Sequence, residues 1–452
     1  MSLNLEAVLQ QVGDPVEMLR NGPICYPAFP FPDQFTNWRD EQRGWKESVT
    51  LFDQSHHMWD TTFQGPGVYQ LLSDTGINGF TGFGKGKAKQ FVAVNPDGYV
   101  IADAILFAHD DDRASLVGTP CAANWVRFQA EQGNYDVDIS EDPAAPMGEG
   151  TRRFFRYQLN GPLTQKVLEK AINGSLERIK FFNIGSFEIA GCRVHALNHT
   201  MAGVPGREMT GLELWGPVEN ADRVLEALVS AGEEFGMRQG GALAYPSTCL
   251  ESGWIALPVP AIYSGDATRP YRKWLAAPGF ETLATIGGSY VPDLIDDYYV
   301  TPWDLGYGHL IKFDHDFIGR SALERMADRP HKRKVWMSFN DEDVAALVAS
   351  TLAGDEARAQ WMSFPNSNYS VFHYDAVHDG GRLVGFANWI GYNVNIGHVS
   401  AIGMVDESDA IDGKELTLVW GEPNGGSKKT LVDQGHVQKE IRCTISTTAL
   451  GQ

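Results

Sequence analysis

The stretch FVAVNPDGYVIADAILF, residues 91–107, sets the fold class. FVAV at 91–94 and YVIADAILF at 99–107 have the alternation of strands, and Asn95-Pro96-Asp97-Gly98 between them is a strong hairpin signal. Outward from this hairpin, three segments share one layout: a short strand-like run, Gly-Pro, then an amphipathic helical pattern. They are FQGPGVYQLLSDTGIN at 63–78, LNGPLTQKVLEKAIN at 159–173 and LWGPVENADRVLEALVSAG at 214–232. Proline just inside a helix start costs no hydrogen bond, so Gly-Pro reads as helix punctuation rather than as a ligand loop. Strands paired by hairpins with helices laid on them make an α+β protein. After about Arg329 the pattern changes. KVWMSF at 334–339 reads as a strand, and 388–446 is rich in Val, Ile, Thr and Gly, as expected of a separate small β-barrel or sandwich.

The chain has 452 residues, 43% of them hydrophobic. At about 150 residues per domain that length corresponds to about three domains. Thirty-seven basic against 57 acidic residues give a formal charge of −20, which disfavours nucleic acid and anionic membranes as partners. The five cysteines are scattered and odd in number, so neither a disulfide framework nor a thiolate zinc site is expected. Met1–Gly13 lacks the pattern of a signal peptide, and no apolar run approaches the roughly 20 residues that span a bilayer. The reading is a soluble cytoplasmic protein.

The segment YPAFPFPDQFTNWRDEQRGWKESVTLFDQSHHM, 26–58, gathers hydrogen-bonding groups beside aromatics, as an enclosed active site needs. Tyr26, Gln54, His56 and His57 supply polar atoms; Phe29, Phe31, Phe35 and Trp38 can wall a flat apolar ligand from water. Glu213 sits in a strand whose neighbours Leu212 and Leu214 face the other way, so its carboxylate can point into a pocket. Tyr245 and Trp254 flank a Pro-containing turn. GFGKGKAK at 82–89 lacks the Lys-Ser/Thr ending and following helix of a phosphate loop, although Lys85, Lys87 and Lys89 remain candidates for a positive patch toward an anionic tail. His56-His57 and Asp314-His315-Asp316 do not form a metal set, because adjacent strand residues point to opposite faces. Neither a Gly-flanked serine elbow nor a Rossmann glycine pattern is present.

TPWDLGYGHLIKFDHDFIGRSALE at 301–324 resembles the signature of the glycine-cleavage T-protein (aminomethyltransferase) family. Together with NWRDEQ, LFDQSHHM, KAKQFVAV, CAANW, MAGVPG, YYVTPWDLGYG and WGEPNGG, it makes essentially the whole chain similar to the tetrahydrofolate-dependent aryl O-demethylases of that family, the vanillate and syringate group. The resemblance implies three domains in a ring around a central folate channel. They are 1–55 with 150–250, 56–149 with 251–328, and a C-terminal β-barrel at 329–452. It also implies methyl transfer from an aromatic methoxy oxygen to tetrahydrofolate without a metal, in lignin-type aromatic catabolism, by a monomer or homodimer. A dimethylsulfoniopropionate-type demethylase and a folate-binding protein without turnover are the competing readings.

Residue by residue, Tyr26, His57 and Tyr245 match the positions near the departing oxygen, with Gln54 alongside. Glu213 matches the acid that binds the pterin, and Phe182 and Trp254 match aromatics packed on the folate. Asn95 to Asp103 falls where the family binds tetrahydrofolate. Ala102-Asp103 stands where the T-protein has two acids, which disfavours aminomethyl transfer. Where benzoate demethylases carry an arginine before the AANW motif, this chain has Thr119. Ser289, Arg269 and Arg272 are then the candidate partners of a substrate carboxylate, and Phe29 completes the expected substrate wall.

Overall fold

The computed structural model describes residues 3–23, 31–144, 152–202, 210–352 and 358–450. Lys87–Val94 and Val100–Asp110 form the expected antiparallel hairpin. Asn95 Oδ1 accepts the amides of Asp97 and Tyr99, each at 3.0 Å, and Gly98 supplies the left-handed φ of 87° that closes the turn. This hairpin leads a five-stranded sheet continued by Arg113–Gly118, Trp59–Gln64 and Asp138–Asp142. The 301–324 segment docks onto the turn. A Cβ on Gly319, whose φ is 88°, would stand 2.6 Å from the Asn95 carbonyl oxygen.

A six-stranded sheet runs in the order Arg238–Gln239, Thr50–Asp53, Phe154–Asn160, Gly211–Pro217, Cys192–Asn198, Ile184–Ile189. Leu212 and Leu214 bury against Val167, Leu168, Val224 and Leu228 of helices Thr164–Ala171 and Ala221–Gly232. Its other face carries Glu213, Arg156, Gln158 and Asn160, and these are buried as well. The two sheets meet where the Ala88 amide donates to the Phe182 carbonyl and the Ile184 amide to that of Gly86.

Beyond residue 331 the chain forms a closed barrel of six strands: Lys332–Phe339, Val399–Asp406, Arg382–Tyr392, Asp375–Asp379, Glu415–Trp420 and Lys439–Ser446. The mixed α+β architecture with a C-terminal barrel is therefore as expected. None of the described helices is long and apolar enough to cross a membrane. The described cysteines Cys121, Cys192, Cys249 and Cys443 are free and buried.

Two details differ from the sequence reading. Helices Val68–Thr75 and Thr164–Ala171 begin two residues after Pro66 and Pro162, so Gly-Pro forms the turn leading into each helix rather than its first residue. In the third segment Pro217 ends a strand, and a short 3-10 turn at Val218–Asn220 precedes the helix. His56 and His57 lie in a turn rather than on a strand.

Gly65 and Gly161 adopt nearly the same φ, 140° and 141°, and a Cβ on either would strike a backbone oxygen: Asp136 at 2.4 Å or Ser48 at 2.2 Å. Gly65→Ala and Gly161→Ala should each destabilise by roughly 1–3 kcal/mol or more, from strain plus collision. Gly82→Ala, at φ 68° with open space around it, should cost less. Denaturant midpoints of the three variants check this order.

Candidate active site

Gln54 follows strand Thr50–Asp53, and its backbone amide donates to the Arg156 carbonyl at 2.8 Å. That anchor turns the buried side chain toward Tyr245, whose Oη accepts from Gln54 Nε2 at 3.0 Å. The His57 ring meets the Tyr245 ring edge-on with centroids 5.1 Å apart, and Phe31 and Phe52 pack on it likewise at 5.7 and 5.3 Å. A phenol hydroxyl, an amide and an imidazole thus converge inside an aromatic wall. Of the other expected wall residues, Phe35 is exposed and Trp38 packs against Tyr392 and Arg39. Tyr26 and Phe29 lie outside the described residues.

Glu213 projects from the polar face of the six-stranded sheet into a buried ionic chain. Its Oε1 pairs with Arg156 Nη1, and its Oε2 accepts from His199 Nε2 at 2.7 Å. The second arm of Arg156 reaches Asp60 Oδ2 at 2.6 Å, in the neighbouring sheet. Burial alone would raise the Glu213 carboxyl. The Arg156 guanidinium and the His199 bond outweigh it and hold the group below its ordinary value. Phe182, at a left-handed φ of 54°, stacks its ring on His199 at 6.3 Å, which brings the expected folate aromatic beside the expected folate acid.

Trp254 stands at the far end of the segment that begins with Tyr245, across helix Thr248–Ser252, and its indole donates to Asp103 Oδ2 at 3.0 Å. Tyr307 and Gln90 donate to the same oxygen. Burial pushes the Asp103 carboxyl up, and these three bonds oppose that shift. Asp103 and Thr119 line one cleft with Cys121, Leu257, Pro258 and Phe372.

The other expected carboxylate partners are engaged elsewhere. Ser289 Oγ donates to the Val419 carbonyl at 2.6 Å, which uses its one proton. Arg269 and Arg272 pair with Glu6. Lys85 pairs with Asp110, Lys87 donates to the Gly82 carbonyl, and Lys89 lies over Phe80 and Phe83. Among the described residues no group of three or more His, Cys, Asp or Glu is arranged to hold a metal.

Arg156, Asp60, His199, Tyr307 and Gln90 were not singled out from sequence. Tyr307 was within reach, since it lies in the quoted YYVTPWDLGYG. Arg156 carried a weaker signal, a lone cation in the strand FFRYQLN.

Residues 18–258 match the family model described as the GCVT N-terminal domain. Over 450 residues the chain is 41% identical to a syringate O-demethylase of a Sphingobium species, covering 99% of this chain and 96% of that protein. It is 28% identical to a sesamin methylene transferase of a Sinomonas species, over 86% of this chain and 82% of the relative. The solved glycine cleavage system aminomethyltransferase T of Bartonella henselae overlays with a TM-score of 0.61. That overlay covers 99% of this chain and 98% of the other at 16% identity, and shows a shared fold.

Burial and the positive field of Arg152 push the His57 imidazole down to about 4. The unfolded chain, with histidine near its ordinary 6.5, therefore binds a proton that the folded chain refuses. His57 should make stability rise with pH from about 4 to about 6.5 and contribute nothing further above that. His57→Gln should flatten this part of the profile, as read by denaturation midpoints across that range. An NMR titration of His57 near 6.5 would contradict the assignment.

Proposed function

The chain belongs to the GCVT family, and from that premise we propose that it is a tetrahydrofolate-dependent O-demethylase. It takes a methyl group from an aromatic methoxy compound and leaves a phenol and 5-methyltetrahydrofolate. The observation that carries this reading is the enclosed Gln54–Tyr245–His57 cluster joined through one sheet to a buried carboxylate, Glu213. The syringate O-demethylase relative supports the substrate class.

Tetrahydrofolate supplies the accepting nitrogen, and this chain's residues would hold it and manage protons. Glu213 suits the pterin because an ionised carboxylate has about four acceptor sites, and among the described residues Arg156 and His199 take two of them. Its remaining capacity matches the amino and ring N–H groups, and Phe182 and Trp254 offer flat apolar surface.

An aryl methyl ether expels a poor leaving group, so in-line placement and proton delivery to the departing oxygen are the main needs. As the methyl–oxygen bond breaks, its electron pair stays on the aryl oxygen, Tyr245 supplies the proton there, and the proton shed by the methylated nitrogen restores the tyrosine. Gln54 fixes the Tyr245 oxygen from behind. His57 is neutral at pH 7, so it orients and relays rather than donating from an imidazolium. Tyr26 is proposed as a further group near that oxygen, and Asp103, Thr119 and Phe29 as lining of the ligand channel. Ser289, whose proton is spent on Val419, enters only as a support of the channel wall. We further propose a cytoplasmic enzyme of aromatic catabolism, acting on a small molecule without metal, nucleic acid or membrane, as a monomer or homodimer.

Incubation with tetrahydrofolate and a panel of methoxybenzoates, methoxyphenols, methylenedioxyarenes and a dimethylsulfonium compound, read by mass spectrometry, tests the reading. Methyl transfer from methoxyarenes is expected and should survive chelation; transfer from the sulfonium alone would overturn it. Glu213→Ala should weaken tetrahydrofolate binding by about 1.5–3 kcal/mol in calorimetry. Tyr245→Phe should lower turnover by roughly a hundredfold, and by less for more acidic phenol leaving groups. An equal loss across a ring-substituted series would mean that Tyr245 shapes the pocket instead.

A further inference from the structure

Resting on the reading of Glu213 as the pterin acid, we propose that Arg156 is a positioning residue for methyl transfer. Its guanidinium grips Glu213 while its main chain grips Gln54 and Ser55, so the pterin acid and the proton-delivery cluster are registered through one residue.

Four contacts carry this. The Arg156 carbonyl accepts the Gln54 amide at 2.8 Å. The Arg156 amide donates to Ser55 Oγ at 3.0 Å. One arm of the side chain pairs with Glu213 and the other with Asp60, at the start of the strand just after His57. The guanidinium also lies over the rings of Phe107 and Trp215, at 5.1 and 5.7 Å, which limits its swing. Arg156 is fully buried, so the fork works in a low-dielectric setting where loss of one partner leaves an uncompensated charge.

The groups facing Glu213 define what titration should do. Arg156 comes from the adjacent strand and His199 from the end of the next one, and Asp60 and His109 stand beyond the guanidinium. With Arg156 in place, Glu213 stays ionised across the neutral range, so folate affinity should be flat with pH. Without it, burial and Asp60 favour the protonated acid against the remaining His199 bond, and that acid accepts the pterin's N–H groups less well than the carboxylate does. Affinity should then improve as pH rises.

The test measures tetrahydrofolate Kd by calorimetry from pH 5.5 to 8 in the wild type, Arg156→Gln, Glu213→Gln and the double variant. Arg156→Gln removes the charge and the fork together. It should bind at least tenfold more weakly at pH 5.5 and recover part of that loss by pH 8. In the Glu213→Gln background the same change should cost little, with no pH dependence. If Arg156→Gln fails to fold, Arg156→Met combined with Asp60→Asn removes one buried cation and one anion together, and the same pH dependence is expected of it. A loss that is equal at every pH, or equal in both backgrounds, reduces Arg156 to a structural part and overturns the proposal. Wild-type binding that Glu213→Gln leaves intact overturns instead the reading of Glu213 as the pterin acid. A wild type that binds no tetrahydrofolate overturns both.

Discussion

The ion chain Asp60–Arg156–Glu213–His199 is the constraint on which the rest of the site depends. Its members come from both sheets, and all lie where water is excluded. Buried ions of this kind add little net stability, because desolvation cancels most of their attraction. What they add is definition. Two carboxylates and a guanidinium cannot slide past one another by a residue without stranding a charge, so the relative placement of the two sheets is fixed at this point.

A second connection runs through residues 245–254. One short helical segment carries Tyr245 to the Gln54–His57 cluster at one end and Trp254 to Asp103 at the other. Tyr307, from the 301–324 segment, meets the same Asp103 oxygen. Gly319 of that segment presses on the hairpin turn whose second strand carries Asp103. Glu213 and Asp103 therefore sit on strands and Tyr245 on a helical turn, while Gln54 and His57 sit in the turn that follows strand Thr50–Asp53.

Much of this was legible in the sequence. The hairpin at 95–98, the apolar helix faces after each Gly-Pro and the β-rich tail follow from local rules of turn chemistry and period. The alternation around Glu213 was also readable, since Leu212 and Leu214 had to share one face. The burial of the opposite face was not. Arg156, Gln158 and Asn160 alternate with Phe155, Tyr157 and Leu159 as in a half-solvated strand, and only tertiary packing covers the polar side. Arg156 and His199 carry little local signal, because their partners are far away in sequence. Ser289 was expected at the substrate for its hydroxyl, which a single chain cannot show to be committed to the Val419 carbonyl. Helix Asp341–Thr351, inserted after the first barrel strand, buries only Val344 and Leu347, too narrow an apolar face to read from the sequence.

The most direct test is a crystal structure with 5-methyltetrahydrofolate and a methoxyphenol bound together. The account predicts the pterin amino group on the Glu213 carboxylate and the methoxy oxygen within hydrogen-bond reach of Tyr245. The folate nitrogen should lie in line with the methyl–oxygen bond. A pterin bound away from Glu213, or an aryl oxygen turned away from Tyr245 and His57, would contradict it.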